Sequence, residues 1–213
     1  MVERRQPGDP KDLFPSEADH IARAVPKRIQ EFAAGRACAR QALAELGADR
    51  VELRVGADLR PLWPPEYVGT ITHTAGYCAA AVAARGSILA IGLDTETVGA
   101  ASIDVWPTIC DGAELNWIRA LEPKYRACAF TLFFSAKEAF YKCQYPLTGE
   151  WLDFHDVHVR VDCWSQARGR FEVSGKRRIL FADQVRLPII GSYLMHEVFV
   201  SAAISVVHPR QPQ

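Results

Sequence analysis

The sequence predicts an α+β fold of two similar halves, residues 1–105 and 106–213, each made of helix followed by antiparallel strands. Three observations predict it. Runs rich in helix formers open each half, at 26–46 in the first and at 111–121 and 123–144 in the second. Short apolar segments follow, joined by turns too short for a crossover helix, so their strands pair antiparallel. Finally, Ile71–Ala83 and Glu197–Val207 share an alternating small and apolar texture that hints at an old duplication.

Taken in order, residues 1–15 read as an irregular lead-in. Ser16 offers an N-cap for a short helix over 17–24. Pro26 favours a new helical start, and PKRIQEFAAGRACARQALAEL continues to Leu46, with Gly47 as a natural end. A short strand is expected at 51–55 and a turn at Trp63-Pro64-Pro65. Strands follow at 68–74, 77–84 and 88–94, separated by Ala75-Gly76 and Gly86, and are expected to form a meander. In the second half Asp111 and Glu114 form a capping pattern for the 111–121 helix. Pro123 opens the long helix, which is expected to stop before Pro146. Strands near 156–162, 169–174, 190–195 and 197–207 complete the half.

Composition narrows the function. The 213 residues carry 25 Lys and Arg against 25 Asp and Glu, and 49% are hydrophobic. That excludes a disordered chain and disfavours a dedicated nucleic-acid binder, which needs a basic surplus. The N-terminus, MVERRQPGDPKDLFPSE, has no apolar core and is not read as a signal peptide. No apolar run reaches the roughly 20 residues of a membrane span. Cys38, Cys78, Cys110, Cys128, Cys143 and Cys163 form no C-x-x-C pair and are expected to be reduced thiols in a cytoplasmic protein.

Four clusters could carry chemistry. Arg28, Arg36 and Arg40 fall on one stripe of the 26–46 helix, where like charges repel unless an anion joins them. A solvated basic face is the alternative. Asp94 and Glu96 end an apolar strand and project the same way, which suits a hard cation such as Mg²⁺, or else a turn or cap. Phe134-Ser135-Ala136-Lys137-Glu138-Ala139-Phe140-Tyr141-Lys142 sets Glu138 and the two lysines among aromatic residues, where desolvated charges need partners. A surface Glu138–Lys142 ion pair is the plain alternative. Thr72-His73-Thr74 precedes a glycine turn, although a lone histidine is commonly a packed one. No G-x-S-x-G, P-loop or G-x-G-x-x-G occurs, against hydrolase, NTPase and Rossmann readings. Three carboxylates with several cations and no activated Ser or Cys suggest Mg²⁺-assisted chemistry on a phosphate ester.

The order GRACARQAL, R-P-L-W-P, VGTITHTAGYCAAAVA, IGLDTE and FSAKEAFYK resembles the 4′-phosphopantetheinyl transferases of the Sfp/EntD type, over about residues 26–146. The resemblance implies a pseudo-dimer of two α+β halves, monomeric, with coenzyme A in the cleft between them. It implies transfer of phosphopantetheine from CoA to a serine of an apo acyl or peptidyl carrier protein, with release of 3′,5′-ADP. By the same resemblance Asp94, Glu96 and Glu138 hold Mg²⁺ or Mn²⁺. Glu138 is also the candidate base, directly or through water. Lys137 and Lys142 meet the CoA phosphates, and Arg28, Arg36, Arg40, Arg60, Thr72 and His73 surround the 3′-phosphate and adenosine. The segment before the arginine helix is short for this branch, so an N-terminal strand is expected to be missing or replaced. Arg168, Arg170, Lys176, Arg177 and Arg178 offer a contact for an acidic carrier, or a solvated hairpin. Siderophore, polyketide, peptide and fatty-acid synthesis all remain open as pathways. A non-catalytic CoA- or carrier-binding protein of the same fold is the alternative. A Mg²⁺-dependent nuclease is disfavoured, because Lys137-Glu138 lies on a helix.

Overall fold

The structure, a computed structural model, describes residues 1–86, 88–162, 164–165, 167–183, 185 and 187–207, with the backbone alone at 182 and 183. It divides into two compact units, Met1–Ile91 with Val207 onward, and Gly92–Val206, where the sequence reading divides the chain at 105/106.

The first unit is built on the helix α2. After β1 (Val2–Arg4) and α1 (Pro15–Ile21), Pro26 starts α2 (Pro26–Ala44), its fixed φ suiting the first turn. Gly47 closes it at φ 88°, with the Ala48 N–H on the Leu43 carbonyl at 3.0 Å. The buried side of α2 is small: Ala34, Cys38, Ala39 and Ala42 with Leu43. Small residues let a sheet approach closely, and a Cβ on Gly35 would stand 3.0 Å from Ile71 Cγ2. That sheet has the order β1-β3-β2, with β2 (Tyr67–Thr74) and β3 (Tyr77–Ala84) forming an antiparallel hairpin.

The second unit is built on a longer helix. Asp111 caps α4 (Gly112–Ala120) in a reciprocal box with Glu114, after the short α3 (Trp106–Ile109). Pro123 starts α5 (Pro123–Thr148), which buries Phe130, Leu132, Phe133, Ala136, Ala139, Phe140 and Cys143. Against it lie β5 (Val157–Arg160), β6 (Arg168–Gly175) and β7 (Ile189–His196). With β8 (Phe199–Val207) and β4 (Ile88–Thr97) they form a five-stranded sheet of order β4-β8-β7-β6-β5. No helix among the described residues is long and apolar enough to cross a membrane.

Several expectations need correction. The lead-in holds a strand, since β1 pairs antiparallel with β3 and supplies the third strand of the first sheet. The meander ends after β3, because β4 joins the five-stranded sheet beside β8. No strand forms at 51–55. The Leu53 N–H goes to the Glu17 carboxylate at 2.9 Å, and only an isolated Val55–Pro61 bridge remains. Ser16 is no N-cap: α1 begins at Pro15, and the Ser16 hydroxyl donates to Glu52. Finally, α5 runs past Pro146, whose missing N–H costs one bond in a turn that is already ending. The helix closes at Gly149, φ 66°, whose N–H reaches the Tyr145 carbonyl at 2.9 Å. Cys38, Cys78, Cys110, Cys128 and Cys143 are free thiols, and Cys163 lies outside the described residues.

Candidate active site

Strand β4 brings its acids to α5 by giving up a side chain. A Cβ on Gly92 would stand 1.8 Å from the Ala139 carbonyl oxygen and 2.9 Å from the Cys143 nitrogen, so glycine lets strand and helix backbones touch. Both acids lie within β4, and Asp94 and Glu96 therefore share the face of Gly92. Thr95 faces away, its hydroxyl 2.8 Å from that of Ser201. Asp94 is buried, and its Oδ1 accepts from Lys142 Nζ at 2.6 Å. Glu138, one turn before Lys142, is half-buried. Burial pushes its carboxyl up, Lys142 opposes the rise and Asp94 adds to it.

The accessible stripe of α5 holds Phe134, Glu138, Tyr141, Lys142 and Tyr145, at spacings that return to one face. Tyr141 stacks on Tyr145 with centroids 5.2 Å apart and meets Trp151 edge-on at 5.4 Å. Trp151 is 74% exposed. Of this aromatic wall beside Glu138 and Lys142 the sequence reading named Tyr141; Tyr145 and Trp151 were not singled out, although the stripe arithmetic would have found Tyr145. Asp94, Glu96 and Glu138 offer only oxygen, the donor set that a hard divalent cation prefers.

Lys137 does not join them. Its ammonium is buried and donates to the Ile109 carbonyl at 2.8 Å, Glu114 Oε2 at 2.8 Å and the Phe154 carbonyl at 2.9 Å. All three protons are committed, so the expected contact with a CoA phosphate is withdrawn. Among the described residues the group that stands at metal-ligand spacing is Asp111, Glu114 and His158. Their carboxylate oxygens are already occupied. Glu114 Oε1 accepts from Val159 N, and Oε2 from Asp111 N and Lys137. Asp111 Oδ1 accepts from Glu114 N, and Oδ2 from Lys176 at 3.0 Å with His158 Nδ1 at 2.9 Å. This is a structural clamp joining α4, α5, β5 and the β6 end.

In the first unit the arginine stripe splits. Glu17, fully buried on α1, takes Arg40 Nη1 with both oxygens at 3.0 and 2.9 Å, while Arg40 Nη2 donates to the Asp12 carbonyl. Arg40 is therefore a structural ion-pair residue rather than a ligand contact. Arg36 is 4% exposed and lies over the Phe32 ring at 4.3 Å. Its Nε stands 3.9 Å from Glu17 and has no hydrogen-bond partner. Burial lowers its pKa to about 10; Glu17 opposes, and Arg40 and Arg28 add to the lowering. Two arginines share one carboxylate, leaving a buried cation that an anion would satisfy. Arg28 is exposed and donates through Nη1 to His73 Nε2 at 2.6 Å, because arginine can only donate. Thr72 is buried on the opposite side of β2 from His73, so its hydroxyl cannot share a ligand face with that ring. Arg60 holds Asp58 Oδ2 at 2.6 Å in a surface turn.

The expected carrier-contact cluster also divides. Lys176 holds Asp111, and Arg177 holds Asp156 and Glu150, leaving Arg168 and Arg170 on the exposed side of β6.

The comparisons agree with the order of the motifs. Family models for the 4′-phosphopantetheinyl transferase N-terminal domain and for the 4′-phosphopantetheinyl transferase superfamily match residues 16–83 and 90–195. The chain is 42% identical over 158 residues to 4′-phosphopantetheinyl transferase Svp of Streptomyces mobaraensis, an alignment covering 73% of this chain and 64% of that protein. It is 39% identical over 170 residues to 4′-phosphopantetheinyl transferase PptT of Mycobacterium tuberculosis, covering 76% of this chain and 73% of that one. Enterobactin synthase component D of Salmonella typhi is 35% identical over 126 residues, 58% of this chain and 51% of its own length. The chain thus spans between half and about three quarters of these relatives' lengths. With both units matched in the same order, the chain belongs to the 4′-phosphopantetheinyl transferase superfamily.

Proposed function

We propose that this protein transfers the 4′-phosphopantetheine arm of coenzyme A to a serine hydroxyl of an apo acyl or peptidyl carrier protein and releases 3′,5′-ADP. The observation that carries the reading is the approach of β4 to α5 at Gly92, which sets Asp94 against Lys142 one turn from Glu138. Asp94, Glu96 and Glu138 would hold Mg²⁺ or Mn²⁺, which when bound supplies positive charge for a pyrophosphate. Glu138, its carboxyl made more basic by burial, takes the proton of the attacking serine, directly or through one water. Lys142 trades Asp94 for the pyrophosphate oxygen on which charge builds as the bond to the leaving 3′,5′-ADP breaks. Tyr141, Tyr145 and Trp151 give the uncharged arm an apolar surface and limit water near the reacting phosphorus. Arg28, Arg36, Arg60 and His73 hold the adenosine phosphate end.

The test is direct. Incubate the protein with CoA, Mg²⁺ and several apo carrier proteins, then weigh the carriers. A gain of one phosphopantetheine mass is expected, and chelation of the metal should abolish it. CoA binding with no mass gain on any carrier would leave only a CoA-binding protein. Asp94→Ala should abolish transfer with the fold intact; retained turnover removes the metal assignment. Arg36→Ala should chiefly raise KM for CoA.

A further inference from the structure

Thr95 lies between Asp94 and Glu96 on β4. It is buried and points to the side of the strand opposite the two carboxylates. Its hydroxyl meets the Ser201 hydroxyl of β8 at 2.8 Å, and that oxygen meets His196 Nε2 of β7 at 3.1 Å. Three strands adjacent in the sheet, β4, β8 and β7, thus share one polar row. A hydroxyl donates once and accepts as well, so Ser201 can serve both partners together.

The row is anchored in a tight hairpin. His196 and Phe199 pair in register at the β7–β8 turn, with ring centroids 5.6 Å apart, and Glu197 turns the chain there at φ 54°. Ser201 pairs in register with Leu194. Beyond the row, the Val98 N–H donates to the Val198 carbonyl at 2.8 Å, so the end of β4 lies along the same hairpin.

Two contacts therefore bracket Asp94. Gly92 fixes the approach of β4 to α5 two residues before it, and Thr95 ties the strand to β8 one residue after it. Asp94 is further held by Lys142. Glu96 lies beyond both contacts and depends most on the row. Side chains alternate across a strand, so a turn of Thr95 about the strand axis turns Glu96 with it. Asp94 and Glu96 repel each other from one face, and that repulsion favours such a turn. A cross-strand Thr–Ser hydrogen bond opposes it.

We infer that Ser201 is a positioning residue for the carboxylates of β4, with His196 holding its hydroxyl, and that it sets the affinity of the proposed metal site. The inference rests on the reading of Asp94, Glu96 and Glu138 as that site. Ser201 is no ligand in it and acts through Thr95.

Mn²⁺ is the probe, followed by electron paramagnetic resonance of the free ion with CoA present. Ser201→Ala should bind Mn²⁺ about tenfold more weakly than wild type. Ser201→Thr keeps the hydroxyl on a side chain that suits a strand, and should recover most of the affinity. His196→Ala leaves both hydroxyls in place and should lose less than Ser201→Ala. The transfer rate of Ser201→Ala should climb back towards wild type as Mg²⁺ is raised. Calorimetric CoA binding in chelator should match wild type in all three variants, and thermal melts check that they fold. Wild-type Mn²⁺ affinity in Ser201→Ala, no recovery in Ser201→Thr, or an equal loss of metal-free CoA binding overturns the inference and leaves the metal reading standing. A wild type that binds no Mn²⁺ overturns the metal reading and this inference with it.

Discussion

Lys137 and Lys142 stand five residues apart on α5, and each meets a carboxylate, yet the two pairs are built differently. Lys137 and Glu114 are 2.8 Å apart with side chains 1% and 0% exposed, and all three lysine protons and both carboxylate oxygens are engaged. Lys142 and Asp94 are closer, at 2.6 Å, but the lysine is 28% exposed on the accessible stripe of the helix. A buried pair cannot change partner without stranding a charge away from water. The partly exposed Lys142 can turn to a phosphate, provided that another cation takes over the buried Asp94 carboxylate. Distance between charges therefore does not separate a structural pair from a chemical one. The donors left over, and their access to solvent, do.

The strongest way to break this comparison is to remove each lysine in turn. Lys137→Ala strands Glu114 in the core and should cost about 3–5 kcal/mol of stability, read as a shift of the urea midpoint. Lys142→Ala should lower the transfer rate about 10²-fold or more, with a smaller loss of stability than Lys137→Ala, since Asp94 is buried but its partner lysine reaches solvent. If Lys137→Ala folds normally and only loses turnover, the two roles have been assigned the wrong way round.

Much of this was legible in the sequence. The capping box at Asp111 and Glu114, the proline start of both long helices and the D-x-E strand end all follow from local rules. Local rules failed where a distant partner decides. Nothing near Lys137 indicates that Glu114, 23 residues away, takes its charge. The arginine stripe read as an anion site because its like charges share one face of the helix, while Glu17 from another helix holds Arg40. Likewise β1 is only three residues long, too short for an alternation signal, and gains its strand character from pairing with β3.

Gly92 sharpens the comparison, because it lets only one of the two pairs meet. Gly92→Ala would press a methyl against the Ala139 carbonyl, so β4 and α5 must separate. The expected loss is about 1–3 kcal/mol by thermal melt. Transfer should fall further than the residual stability explains, since Asp94, two residues on, is drawn from Lys142. The Lys137–Glu114 pair involves no β4 residue and should keep its amide protection in hydrogen exchange. Unchanged stability and turnover would mean that the close approach is not what sets the Asp94–Lys142 contact.

The smallest expected effect tests the structural clamp by pH. At Asp111 burial opposes ionisation, but the Glu114 N–H, His158 and Lys176 outweigh it and hold the carboxyl well below the usual carboxylate range. The folded value is thus depressed relative to about 3.9 in the unfolded chain. The folded state binds this proton less readily, so the stabilisation is fully present above about pH 4 and is lost as pH falls through the folded value. Asp111→Asn separates charge from cap, because asparagine still accepts the Glu114 N–H at the helix start but does not titrate. The variant should be less stable than wild type near neutrality, and the gap should close as the medium is acidified below about pH 4, measured by paired urea melts. A gap that stays constant with pH would show that the cap geometry, rather than the charge on Asp111, ties α4 to Lys176 and His158.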